Sequence, residues 1–191
     1  MKITDRKTEI INVAAKLFKE KGYSAVTMRD IAQTMDIKAA SLYNHIKSKQ
    51  EILVLIVIEI AEEFTSTMNE VVNSNENIIK KIERIIQLHI DITLRDANAL
   101  ACLNNDWMHL ADAELTYFIK MREDYEENFR TIIKKGIDEG EIKNLNIEVI
   151  IFSTLSTLRT LYLWYGKKKS PNPIVLKSDM IKVLLHGIVV D

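Results

Sequence analysis

Almost nothing in this 191-residue chain interrupts a helix. Five glycines and two prolines stand in the whole sequence. No segment alternates apolar and polar residues with the period of two that a half-buried strand needs. Apolar residues recur instead at helical spacing. In 6–21, Ile10, Ala14, Leu17 and Phe18 share one face. The same periodicity predicts helices over 28–35, 38–45, 49–72, 77–95, 97–109, 112–138, 147–165 and 176–188. The boundaries carry stop and start residues. Thr4 and Asp5 are N-cap candidates and Gly22 a stop; Thr27 with Asp30 three residues on forms a cap. Asp36–Ile37 break the chain again, Ser48 caps the next helix, and Gly140 and Gly166 end two others. GKKKSPNP (166–173) reads as a linker that cannot be helical through Pro171 and Pro173. The expected fold class is all-α, with about nine helices.

Composition narrows the function classes. Apolar residues make up 47% and charged residues 28%, which suits a packed globular chain rather than a disordered one. The single cysteine, Cys102, excludes an intrachain disulfide framework and a cysteine-rich zinc site. The N-terminus lacks the apolar stretch of a signal peptide, and no apolar run approaches the ~20 residues of a membrane span. A soluble cytoplasmic protein with no membrane partner is expected. No HExxH, P-loop or GxSxG pattern occurs, so no cofactor or metal is expected. Of the four histidines, His89 lies near Asp91, and His109 near Asp106 and Asp112. On a helix only the i, i+3 pair Asp106–His109 shares a face, and two ligands fall short of the three of a catalytic zinc. An enzyme is not expected.

Charge is unevenly placed. Residues 1–50 carry ten Lys and Arg against five Asp and Glu, and residues 51–191 carry sixteen against twenty-two. A basic head on an acidic body points one end of the molecule at a polyanion. The head contains TMRDIAQTMDIKAASLYNHIKSK (27–49), two short helices about three residues apart, the layout of a helix-turn-helix. Its second helix suits a groove reader. Ala39 and Ala40 are small enough for close approach, and their methyls can meet a thymine methyl. Ser41, Tyr43, Asn44 and His45 offer polar tips. Lys47 and Lys49 supply charge for phosphates. Paired short amphipathic helices also occur in many helical proteins, so this local reading leaves a plain structural pair open.

The wider pattern over 6–55 resembles the DNA-binding domain of the TetR family of transcriptional regulators. The match runs through Leu17-Phe18, Gly22-Tyr23, Thr27, Ile31-Ala32, Ser41-Leu42-Tyr43, Lys49 and Leu53. Ile46 stands where the family often has Phe, and Ala40 where it often has Gly. The resemblance implies a ligand-responsive regulator, by family default a repressor. It implies a homodimer on palindromic double-stranded DNA, released by a small effector. It places a DNA-binding domain at 1–48, with the motif at 27–46, and a helical ligand-binding and dimerisation domain at 49–191. The DNA-contact roles fall on Thr27, Arg29, Lys38, Ala39, Ala40, Ser41, Tyr43, Asn44 and His45, with Lys49 on a backbone phosphate.

The C-terminal part offers weaker signals. Leu103, Trp107, Met108, Phe118, Met121, Tyr125, Phe129, Phe152 and Leu155 could line an apolar effector site. Arg122 and Arg159 could clamp a carboxylate or phosphate. Singly, each is as well explained as core, and Arg122 by pairing with a Glu of its own helix. The stretch 147–165 is apolar on most faces, as in a buried or interface helix. With 176–188 it forms the expected dimer surface, through Ser153, Ser156, Thr160, Trp164, Met180 and Leu184, and small Thr154 and Thr157 also permit close helix approach. A Trp-Tyr pair and a Leu-Leu-x-Gly ending loosely resemble an acyl-CoA-responsive branch, which implies an acyl-CoA or fatty acid effector. The alternatives are a drug-efflux regulator answering aromatic or cationic compounds, and a helical scaffold protein without DNA binding.

Overall fold

The structure, a computed structural model, describes residues 6–165 and 171–189. Thr4, Asp5, Gly166 and the lysines of the linker lie outside the described residues. Among those described there are nine α-helices: α1 (Arg6–Lys21), α2 (Met28–Thr34), α3 (Ala39–Tyr43), α4 (Lys49–Asn73), α5 (Ile78–Arg95), α6 (Ala97–Asn105), α7 (Asp112–Asp138), α8 (Ile147–Trp164) and α9 (Pro173–His186). Two single-turn 3₁₀ helices, Tyr23–Ala25 and Trp107–His109, join them. Two sequence expectations are corrected. The helix expected over 97–109 stops at Asn105, because Asp106 (φ −115°) leaves helical geometry and 107–109 tighten to a 3₁₀ turn. α9 starts at Pro173, inside the segment expected to be non-helical. Proline fits the first turn of a helix, where its missing N–H is not needed, and the Asn172 side chain accepts from Val175 N–H.

The chain divides into two compact units, Met1–Glu62 with Asp96–Lys120, and Glu63–Arg95 with Met121–Asp191. In the first, α1 packs on α6 and α2, and α2 on α3. Its apolar face is the one read from the sequence: Ile10, Ala14, Leu17 and Phe18 are all buried. In the second, α5 packs on α8 and α9. Ile82, Ile85, Ile86 and Ile90 of α5 are fully buried, each contributing about 1.5–3 kcal/mol of burial. Two close fits brace this unit. Lys81 is buried, yet its ammonium donates to Val72 O at 2.7 Å. It thereby places a cation on the carbonyl end of α4, where the helix dipole favours one. Gly136 lets α7 approach its neighbours: a Cβ there would lie 2.5 Å from Ile142 Cγ1 and 2.7 Å from Ile78 Cγ2. Gly140 (φ +76°) supplies the left-handed stop after α7.

Among the described residues α8 alone is long and apolar enough, by length and composition, to cross a membrane, a test that the core helix of a soluble protein also passes. One of its faces is buried, through Ile150, Ile151, Thr154, Leu155, Leu158, Leu161 and Tyr162. The other face stays open and apolar, with Val149, Phe152, Leu163 and Trp164 exposed.

Candidate nucleic-acid interface

The helix-turn-helix is built by local chemistry. Thr27 is the N-cap of α2: its hydroxyl accepts from Asp30 N–H at 3.2 Å, while the Asp30 carboxylate accepts from the Thr27 N–H at 2.7 Å and hydroxyl at 2.6 Å. The Thr27 side-chain and backbone hydrogen bonds hold the Asp30 carboxyl below its ordinary pKa. α2 ends at Thr34 with Met35 as its C-cap, and Asp36, whose φ of 52° is left-handed, turns the chain away. The reversal is closed by Ile37 N–H donating to Ala32 O at 3.0 Å. α3 follows, five residues long. Leu42 and Ile46 anchor it, both buried to 1% exposure or less. Ile46 therefore fills the core as the larger family residue would.

What α3 does not bury, it offers. Ala40, Ser41, Asn44 and His45 are exposed, and Tyr43 is 54% exposed. Thr27, Arg29 and Lys38 are exposed on the approach to α3, and Ala39 is half-buried. Arg29, Lys38 and Ala39 also line a surface recess between α2 and α3. A small-residue helix start, flanked by cations and carrying four polar tips, can enter a groove and read base edges there.

Lys49 is held by contacts within its own unit. Its ammonium donates to Tyr23 O and Val26 O, both at 2.8 Å, and lies 4.1 Å from the Tyr23 ring centroid. Two of its three donors are thus engaged inside the unit, and burial lowers its pKa despite the nearby Asp106 carboxylate. Lys49 ties the start of α4 to the turn after α1. Ser48 and Glu51 form the expected cap: Ser48 Oγ accepts from Glu51 N–H at 3.0 Å, and Glu51 accepts from Lys47 N–H at 2.7 Å. That backbone bond is the first cause of the lowered Glu51 pKa.

The effector candidates fall on both units. In the first, Trp107 stacks on Phe118 with ring centroids 5.5 Å apart. Leu103 is half-buried and Met108 is 57% exposed. In the second, Met121, Tyr125, Phe129 and Leu155 are core residues. Phe152 is 73% exposed, so it belongs to the open face of α8 and not to an interior lining. A helix apolar all round gives no sign of which face turns inward. Arg159 donates to Glu126 Oε1 at 2.7 Å, and Arg122 approaches the same oxygen at 3.8 Å. Next to Arg159 lies a buried polar pair missing from the sequence reading. His89 Nε2 and the Tyr125 hydroxyl are 2.9 Å apart, with Phe64 4.5 Å from the His89 ring. Burial first, and then the Arg159 charge, hold the His89 pKa down to about 3, so the ring is neutral. Among the dimer candidates, Ser153, Thr160 and Trp164 are exposed and Ser156, Met180 and Leu184 half-buried. Thr154 is buried within its own chain.

Nothing in the chain's lone thiol suggests chemistry. Cys102 is buried, its Sγ is 3.8 Å from Ala15 O, and burial pushes its pKa up to about 12. A protonated buried thiol is an inert core group.

Comparison with known proteins agrees with this geometry. Residues 10–56 match the family model "Bacterial regulatory proteins, tetR family". Residues 75–188 match "Tetracyclin repressor-like, C-terminal domain". The fatty acid metabolism regulator protein of Bacillus subtilis is 24% identical over 185 residues, 94% of this chain and 94% of its own length. The ketosteroid transcriptional regulator KstR2 of Mycobacterium tuberculosis superposes with a TM-score of 0.90 at 20% identity, covering 100% of this chain and 98% of that one. AibR, solved in complex with isovaleryl coenzyme A and operator DNA, superposes with a TM-score of 0.78 at 19% identity, covering 94% and 97%.

Proposed function

The chain belongs to the TetR family of bacterial transcriptional regulators, and from that premise we propose that it is a cytoplasmic repressor that grips a palindromic operator as a homodimer and lets go when a small acyl effector binds. One observation carries the DNA reading: α3 and the turn that follows it are pinned by Leu42 and Ile46 while Ser41, Tyr43, Asn44 and His45 stand exposed along them. Arg29 and Lys38 add phosphate contacts beside it. A symmetric pair of such helices reads half-sites about 34 Å apart, or a multiple of that. The functional boundary stays at 48/49 in this proposal, although the packing boundary differs, because the reading helix and the cap and turn that form the motif all lie before it.

The open apolar faces of α8 and α9, with Val149, Phe152, Trp164, Ile174 and Val183 exposed, support the dimer surface; water is a poor neighbour for such a patch. For the effector, an acyl-CoA or fatty acid is favoured by the likeness to a fatty acid metabolism regulator and to an isovaleryl-CoA-bound protein. The half-buried Arg159 beside the His89–Tyr125 pair is the candidate polar anchor. To turn a 99:1 bound population around, the effector must prefer the released state by about 5.5 kcal/mol.

The test is operator binding by wild type and by Ser41→Ala/Tyr43→Ala, with mass measured in solution. The proposal expects a dimer in both and specific DNA binding only in wild type. Unchanged DNA affinity in the variant would transfer the protein to the scaffold reading.

A further inference from the structure

Resting on the reading of the head as a DNA-binding module, we infer that residues 106–109 form a positioning latch. The latch holds both ends of the helix-turn-helix in the arrangement that presents α3 to an operator.

The observation is a closed ring of contacts among three segments far apart in sequence. Tyr23 N–H donates to Asp106 Oδ1 at 3.3 Å. The Tyr23 ring stacks on the His109 ring, 5.1 Å between centroids and 25° between planes. The Tyr23 hydroxyl donates to Gln50 Oε1 at 2.8 Å, and Gln50 Nε2 donates to His109 O at 3.0 Å. Ser24 Oγ lies 3.4 Å from His109 Nε2. Lys49 closes the ring from the other side, through the Tyr23 and Val26 carbonyls.

The placement in the chain gives this ring its consequence. Tyr23 precedes Thr27, the cap of α2. Lys49 and Gln50 open α4, directly after α3. The two grips therefore flank the helix-turn-helix, and one platform holds both. α3 itself is a five-residue helix with no side-chain cap, so its aim depends on its supports. The platform lies two residues before α7, and α7 runs on from Lys120 into the second unit at Met121. A shift of α7 thus reaches both flanks of the reading motif together. None of these side chains needs to touch DNA, so their effect on binding is one of position.

The test starts from duplexes that wild type selects out of random-sequence DNA. Affinity is then measured on the selected operator and on versions with the half-site spacing changed by about 1 and 2 base pairs. Gln50→Met removes two links of the ring and His109→Ala removes the stack; His109→Phe keeps it. The inference expects the first two to lose about threefold to tenfold on the native spacing. It also expects their preference for that spacing to shrink, while His109→Phe stays near wild type. Should Gln50→Met melt the head, Tyr23→Phe, which deletes only a hydroxyl, carries the same test. Wild-type affinity in the variants, or an equal loss at every spacing, would overturn the latch and leave the regulator standing. Failure of wild type to select any DNA would instead overturn the regulator, and the latch with it.

Discussion

Acid should weaken this protein through one buried side chain. His89 is 5% exposed and its folded pKa is about 3, set by burial and secondarily by Arg159. In the unfolded chain a histidine titrates near ~6.5. Because the folded value is the depressed one, the unfolded state binds the extra proton. The contribution is complete above about pH 6.5 and is lost as the pH falls toward 3, at up to about 1.4 kcal/mol per pH unit. Between about pH 7.5 and 5.0 the loss is about 2 kcal/mol. His89→Leu alone would strand the buried Tyr125 hydroxyl, costing about 1–3 kcal/mol. The comparison is therefore wild type against the double variant His89→Leu/Tyr125→Phe, which removes both partners of the 2.9 Å contact. Urea unfolding at both pH values, at fixed protein concentration, gives the stabilities. The other titrating groups are shared by both proteins and cancel in the difference. A double variant that loses as much stability on acidification as wild type would refute the argument. It would mean that His89 is protonated in the folded state or that its surroundings relax around the charge.

Three further outcomes follow from particular contacts. Gly136→Ala should destabilise by about 1–3 kcal/mol, since its Cβ would press on Ile142 and Ile78; a denaturant melt reads this. At Asp36, φ 52°, Gly should match or exceed the native residue in stability, while Ala should cost about 1 kcal/mol; the same melt compares them. Lys49→Met should weaken operator binding without flattening its salt dependence, because the ammonium serves two backbone carbonyls. A slope reduced by about 0.9 would instead place Lys49 on a phosphate.

The sequence was most legible where structure is made locally. The Thr27–Asp30 cap, the Ser48 cap, the span of α7 and the buried face of α1 all follow from residues within one or two turns of each other. The family pattern of the head is of the same kind, since it sits in one continuous stretch. Contacts across long separations were not legible. The two carbonyls that hold Lys49 could not be read locally, because they lie 23 and 26 residues away. Nothing local marks Tyr23 as a hub that meets residues 27 and 83 positions on. Phe152 and Leu155 are equally apolar neighbours on α8, yet one is exposed and the other buried. A helix without a polar face does not announce which way it turns. Pro173 misled for a different reason: proline ends a helix from inside but begins one at its first turn.

The most direct measurement of the central claim is a gel shift of wild type on the DNA flanking its own gene, at about 50 and 200 mM salt. The account predicts a discrete complex at low salt that weakens by orders of magnitude at high salt, as counterion release from several phosphates requires. It predicts further weakening when a long-chain acyl-CoA is added. Binding that is absent at low salt on any genomic fragment, or that is indifferent to salt, would contradict it.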